Sequence, residues 1–208
     1  MASVAPNSPA KQASAANRKR KKKFPPSRAE ELLQSSRLET LDPQIVMTLL
    51  PLRVYQSIVD IGCGPGYFTI PLAKYAFDGK IHAVDVQQEM LDLLGERTEK
   101  ARLSNVKLLR STDSKIPLDD ASVDGALIVN TLHEANNPKN VLSEARRILR
   151  KGGWATVVDW RKEEMEAGPP IEERVGRDDV VAVAEEAGLR LISVYDLNAW
   201  EYIVSLAR

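Results

Sequence analysis

The 208-residue chain has a single cysteine, Cys63. One cysteine excludes an internal disulfide and any multi-cysteine metal site, so no bound metal is expected. No apolar run is long enough to cross a bilayer. The first residues lack the apolar stretch of a secretory signal. A cytoplasmic location without a membrane span is the resulting expectation. Acidic residues are missing from the first 29 positions, which carry eight basic ones, Lys11, Arg18 to Lys23 and Arg28. The remaining 21 basic residues face all 29 acidic ones, a net charge of about −8. A surface of that sign has no general affinity for nucleic acid, so any such affinity would sit in the N-terminal stretch.

What is present is an ordinary globular composition, 43% hydrophobic and 28% charged. The length suits one α/β domain with a tail. Residues 1–24, rich in Ala, Ser, Pro, Asn and Lys, have little to bury and read as a disordered basic tail. The run from Arg18 to Lys23 fits a polyanion-binding arm, a sorting signal or a solubilising tail. Residues 25–208 read as the folded domain. Ser27-Arg28-Ala29-Glu30 fits a capping box at a helix start. Asp42-Pro43 marks a second start, with Asp as N-cap and Pro at the first helical position.

Beyond these short helices, strand and helix signals alternate. Strands are expected at 57–61, 80–85, 105–110, 125–130, 154–159, 189–195 and 201–206. Helices are expected at 67–75, 87–101, 138–149 and 178–187, with Asn137 and Gly152 capping the third and Gly188 ending the fourth. Repeated β-then-α order implies a mostly parallel seven-stranded sheet covered on both faces. The last two strands, joined by a short turn, must pair antiparallel.

The most informative stretch is Val59-Asp60-Ile61-Gly62-Cys63-Gly64-Pro65-Gly66-Tyr67-Phe68. An apolar strand runs into Gly-x-Gly-x-Gly and then a helix. Glycine permits the sharp turn and the close approach of a ligand. The helix start offers N–H groups to a carboxylate. Asp85 follows Gly66 by 19 residues, at the end of the next strand, where an acid accepts hydrogen bonds from ribose hydroxyls. A dinucleotide fingerprint needs its third glycine at position 67, which is Tyr67. Asp60 stands where dinucleotide folds keep an apolar residue, and a carboxylate there suits a ligand with an ammonium group. An amino acid, a ribose and an adenine without phosphate describe S-adenosylmethionine better than NAD.

The segment Val59 to Phe68 resembles the first motif of class I S-adenosylmethionine-dependent methyltransferases, and the chain is similar to their ubiquinone/menaquinone-biosynthesis (type 11) group. Ala83-Val84-Asp85, Ser111-Thr112-Asp113, Ile116-Pro117-Leu118, Ser122 to Gly125, Val129 to His133 and Ala145 to Gly153 resemble the later motifs. The resemblance implies a Rossmann-like three-layer αβα sandwich with an antiparallel C-terminal strand. It implies that Gly62, Gly64 and Gly66 line the methionine portion of S-adenosylmethionine, with Asp60 near its amino group; Cys63, a small packing residue rather than a nucleophile, and Tyr67 are further cofactor-binding candidates in the same loop. Asp85 would hold the ribose, Val86 would pack on adenine, and Asn130 would lie beneath the sulfonium. Relatives often carry Gly-Asp-Ala where this chain has Ser111-Thr112-Asp113, so Thr112 and Asp113 both stand as partners of the adenine amino group.

Methyl transfer requires positioning more than acid catalysis. The acceptor should approach over the carboxyl ends of the central strands, beside His133, Glu134, Asp159 and Trp160. His133 would orient or deprotonate it, or would simply close the strand through a local hydrogen bond. His82 reads as structural. Gly168 to Arg174 would cover the acceptor or merely connect elements. No Asn-Pro-Pro-Tyr-like tetrapeptide follows the fourth strand, against amino methylation of DNA bases or glutamine. The preferred partner is a small-molecule acceptor, in a monomer or homodimer. The alternatives are an RNA or other macromolecule methyltransferase using the tail, and a non-catalytic S-adenosylmethionine-binding protein.

Overall fold

In the computed structural model, residues 21–208 are described; most of the expected tail, including Arg18 to Arg20, lies outside them. The seven strands are β1 (Ser57–Ile61), β2 (Lys80–Asp85), β3 (Val106–Arg110), β4 (Val123–Val129), β5 (Leu149–Trp160), β6 (Arg190–Asp196) and β7 (Glu201–Ala207). They form one sheet in the order β3-β2-β1-β4-β5-β7-β6. β1 pairs in parallel with both β2 and β4, while β7 runs antiparallel to β5 and β6. The strand order reverses between β1 and β4, and the crevice at that reversal is where ligands bind in open α/β sheets.

The helices are α1 (Arg37–Thr40), α2 (Pro43–Thr48), α3 (Thr69–Tyr75), α4 (Gln88–Lys100), α5 (Pro138–Ile148) and α6 (Arg177–Glu186). Alternation along β1 splits its side chains between two buried layers. Val59 joins Leu142, Ala145 and Ala184 of α5 and α6 on one face. Ile58 joins Leu72 and Ala73 of α3 and Met47 of α2 on the other. Each valine, leucine or isoleucine among these, fully withdrawn from water, contributes about 1.5–3 kcal/mol.

Local chemistry explains the ends of these elements. Asp42 caps α2 by accepting from the Gln44 N–H, and Asn137 caps α5 by accepting from Lys139 N–H. Gly188, in the left-handed region, ends α6 while Leu189 N–H returns to Ala184 O. The capping box at Ser27 does not form. Pro26 to Leu33 is a 3-10 helix whose preceding residue, Pro25, gives no side-chain cap. Within it Arg28 pairs with Glu31 at 2.6 Å. Gly152 does not cap α5 either: Leu149 turns extended and leads straight into β5, which is twelve residues long. Lys21 and Phe24, within the stretch read as tail, hydrogen-bond to the domain. No helix among the described residues is long and apolar enough to cross a membrane.

Candidate functional site

At the carboxyl ends of β1, β2 and β4 lies a cleft of about 1140 Å³, part of it open to solvent. Asp60, Gly62, Cys63, Gly64, Tyr67, Asp85, Val86, Thr112, Asp113 and Asn130 all line it. Gly66 does not; a Cβ there would run into Leu94, so its role is to let α4 approach the loop. A Cβ on Gly62 would strike Thr131, which keeps the β1 and β4 exits close together.

The loop spends its own hydrogen-bond donors inside the protein. Gly62 and Cys63 donate to Val84 O at 2.8 and 3.0 Å, and Gly66 donates to Cys63 O at 3.0 Å. Gly64 donates to Asp85 Oδ2 at 2.9 Å, while Asp85 Oδ1 accepts from Gln87 N–H at 2.9 Å. An N–H that already donates cannot cradle a phosphate or carboxylate as well. These glycine N–H groups therefore serve the loop's own fold.

Two buried acids shape the cleft's field. Asp60 is buried at the end of β1, and its Oδ2 accepts from Thr69 at 2.6 Å. Burial pushes its carboxyl up to about 7, with Asp85 adding to the effect and Thr69 opposing it. Burial also raises Asp85, against its backbone N–H donors. Cys63 is buried, and burial holds its thiol well above the ordinary range, which removes it as a nucleophile.

The opposite wall comes from the segment ahead of β1. Arg37 lines the cleft with its guanidinium 4.5 Å from the centre of the Tyr67 ring. One of its nitrogens donates to Leu32 O at 3.0 Å. Tyr67 OH is tied to Leu41 O at 2.9 Å, which fixes the ring under the cation. Below them Asn130, at φ 49°, donates to Glu201 at 3.4 Å, and its own Oδ1 is buried without a partner. Asn198 also donates to the buried Glu201, at 3.0 Å.

Lys21 to Phe24 cross the cleft as a strap. Phe24 N–H donates to Glu134 Oε2 at 3.0 Å, and Gln87 donates to Phe24 O at 3.0 Å. Lys23 pairs with Asp113 at 3.2 Å, and Asn136 donates to the other oxygen of Asp113 at 2.8 Å. Lys21 Nζ caps His133 O at 2.7 Å and Glu173 O at 3.2 Å.

The residues expected on the acceptor side separate. Glu134 lines the cleft. His133, Asp159 and Trp160 are not part of its lining. His133 Nδ1 lies 2.7 Å from Asp159 Oδ1, and its backbone N–H donates to Asp159 Oδ2 at 3.2 Å. Asp159 is fully buried, because β5 continues past it to pair Trp160 with Glu201. Trp160 instead packs on Gly168, where a Cβ would clash with its ring. Gly168 to Arg174 folds around Arg174, which donates to Pro169, Arg161, Glu163 and Ala167 carbonyls. His82, on β2, contacts Ser57 at 3.0 Å away from the cleft.

Arg37, Gln87 and the strap were not legible as site residues. Arg37 stands 30 positions before Tyr67, and only the folded chain brings them together. The strap's lysines carry the composition of a solvated tail.

A methyltransferase-domain family matches residues 59–157. The chain is also 35% identical to an S-adenosylmethionine-dependent methyltransferase from Aquifex aeolicus. The two structures superpose with a TM-score of 0.85, over 88% of this chain and 98% of that one. The chain belongs to the S-adenosylmethionine-dependent methyltransferases. Two curated relatives match less completely. An uncharacterised methyltransferase of Mycobacterium tuberculosis is 34% identical over 138 residues, 65% of this chain and 53% of that protein. The 27-O-demethylrifamycin SV methyltransferase of Amycolatopsis mediterranei is 27% identical over 165 residues, 73% of this chain and 60% of that protein. The chain thus spans about half the length of these curated relatives.

The cleft of this methyltransferase fits its cofactor, S-adenosylmethionine. With the glycine N–H groups consumed, no phosphate cradle is left for a dinucleotide. Among the groups lining the cleft, Asp60, Asp85, the Arg37 guanidinium and the unpartnered Asn130 Oδ1 suit an ammonium, ribose hydroxyls and a carboxylate.

Proposed function

We propose that this methyltransferase acts on a small-molecule acceptor in the cytoplasm, and that each part of the cofactor has an assigned partner. Asp85 takes the ribose hydroxyls and Val86 packs on adenine. Thr112 and Asp113 form the adenine edge, with Asp113 also anchoring the strap through Lys23. Asp60 pairs with the amino group, and Gly62, Cys63, Gly64 and Tyr67 line the methionine chain. Arg37 takes the carboxylate. Asn130 lies beneath the reacting end with its free Oδ1.

The bound cofactor supplies a methyl group on a sulfonium, already activated to leave. The protein's task is to hold an acceptor at attack distance, which is worth about 7 kcal/mol or more when the geometry is good. The observation that supports a small acceptor is the roof: Lys23, Phe24, Leu32 and Arg37 all stand over the cleft. A polymer would have to displace the Lys23–Phe24 strap to enter.

The test is to incubate the protein with cofactor labelled in its methyl group and with separated cell fractions. Label in the fraction below about 1 kDa is the expected result, the size range such enclosed pockets accept. Label in the RNA or protein fraction would refute the small-acceptor reading.

A further inference from the structure

With Asp113 paired to Lys23 and Glu144 to Arg147, one further acidic group in the cleft has no counterpart among the parts of the cofactor. Asp60, Asp85 and Arg37 suffice for its ammonium, ribose and carboxylate. Glu201 is sealed beneath Asn130 and Asn198 and is not part of the lining. Glu134 does line the cleft, and it is held from two sides. Its Oε2 accepts the Phe24 N–H, and its Oε1 lies 3.8 Å from His133 Nε2. At that distance Oε1 keeps its hydrogen-bonding capacity for a ligand.

Behind Glu134 the chain of contacts continues inward. His133 sits between two carboxylates, with Nδ1 on the fully buried Asp159 and Nε2 toward Glu134. A ring with an acid at each nitrogen is stabilised as the imidazolium, which donates at both. Burial opposes that charge, but the charge and hydrogen bond of Asp159, together with Glu134, outweigh it and raise the imidazole above its ordinary value. The other charged neighbours are Lys21 on the His133 side and Lys23 and Asp85 on the Glu134 side.

We propose that Glu134 faces the transferable methyl group and accepts the proton released by the acceptor, with His133 and Asp159 as positioning residues that keep its carboxylate ionised and aimed. This rests on the cofactor lying in the cleft as assigned above. It also names the acceptor class, a nucleophile bearing N–H or O–H. As the acceptor's heteroatom bonds to the methyl carbon, the carbon–sulfur electron pair stays on sulfur, and the heteroatom's proton passes to Glu134. A nucleophile with no proton to lose would have no use for this carboxylate.

The test needs no knowledge of the acceptor. Sinefungin carries an ammonium-bearing carbon where the cofactor carries its methylated sulfur, and S-adenosylhomocysteine carries a neutral thioether. Calorimetric titration of the whole protein should show sinefungin binding more tightly by about tenfold or more, the value of one charge-assisted hydrogen bond. Glu134→Gln should abolish that preference and leave S-adenosylhomocysteine affinity within about twofold, since only a weak neutral contact changes. His133→Ala should reduce the preference, and Asp85→Ala should weaken both ligands alike. In labelled protein the His133 imidazole should titrate above its ordinary value and shift part of the way down in Glu134→Gln, which reads the coupling between the two groups. A preference that survives in Glu134→Gln overturns the proposal. If neither ligand binds the unmodified protein, the cofactor assignment itself fails, and the proposal with it.

Discussion

Replacing Arg37 tests whether the cofactor's carboxylate is held by a side chain or by the glycine loop. The guanidinium stands over Tyr67 and spends one donor on Leu32 O, leaving the rest of its fork for a ligand. Burial lowers its affinity for a proton, with Tyr67 and Glu201 opposing the shift, and an arginine remains charged in any case. A carboxylate bound by such a fork is worth about 2–3 kcal/mol beyond its exchange with water. Arg37→Ala should therefore weaken S-adenosylmethionine and S-adenosylhomocysteine by roughly 30- to 150-fold. Methylthioadenosine keeps the adenine, ribose and sulfur but has no carboxylate. Its affinity should stay within about threefold, because only packing beside Tyr67 is lost. Arg37→Lys should fall between, since lysine keeps the charge without the planar fork. Calorimetry with the three ligands reads the difference directly. Equal losses for methylthioadenosine and the full cofactor would refute the reasoning and return the carboxylate to the loop.

Other consequences follow from the same geometry. Asp60 rests protonated below about pH 7, so pairing with the cofactor's ammonium must expel that proton. Binding at pH 6 should release close to one proton per cofactor, and affinity should fall about tenfold per pH unit below 7; calorimetry in buffers of different ionisation heat measures it, and Asp60→Asn should remove it. Deleting residues 1–25 removes the strap's contacts with Glu134, Gln87, Asp113 and His133. Cofactor dissociation measured by stopped flow should then quicken by about tenfold or more. His82 is buried, and burial with Lys107 and Lys80 lowers its imidazole to about 4. The unfolded chain then binds more protons than the folded one between pH 6.5 and 4, so this group stabilises the fold above 6.5 and loses that contribution as the pH falls. The loss is at most about 3 kcal/mol; urea unfolding of His82→Gln should show a shallower decline across that window than the unmodified protein.

The parts legible in the sequence are those set by local chemistry. The run from Val59 to Phe68 shows a buried strand, a turn that needs glycine and a helix start, and alternation shows a mostly parallel sheet closed by an antiparallel pair. Asp85 is fixed by its place at a strand end, and Asn137-Pro138 writes a helix start in two residues. What could not be read depends on contacts far apart in the chain. Arg37 acquires its role only when α1 lies against Tyr67. Lys21 to Phe24 look like tail until Glu134 and Gln87 supply partners for their backbone. His133 sits at the expected strand exit, yet buried Asp159 draws its ring away from the cleft, a competition that spacing alone does not reveal.

The most direct test of the central claim is calorimetric titration of the protein with S-adenosylmethionine and, separately, with NAD, repeated on Asp85→Ala. Binding of S-adenosylmethionine at one site, weakened by roughly a hundredfold in the variant as about 3 kcal/mol of charge-assisted hydrogen bonding is lost, is the predicted result, with no heat from NAD. Binding of NAD in preference, or indifference of S-adenosylmethionine affinity to Asp85, would contradict the account.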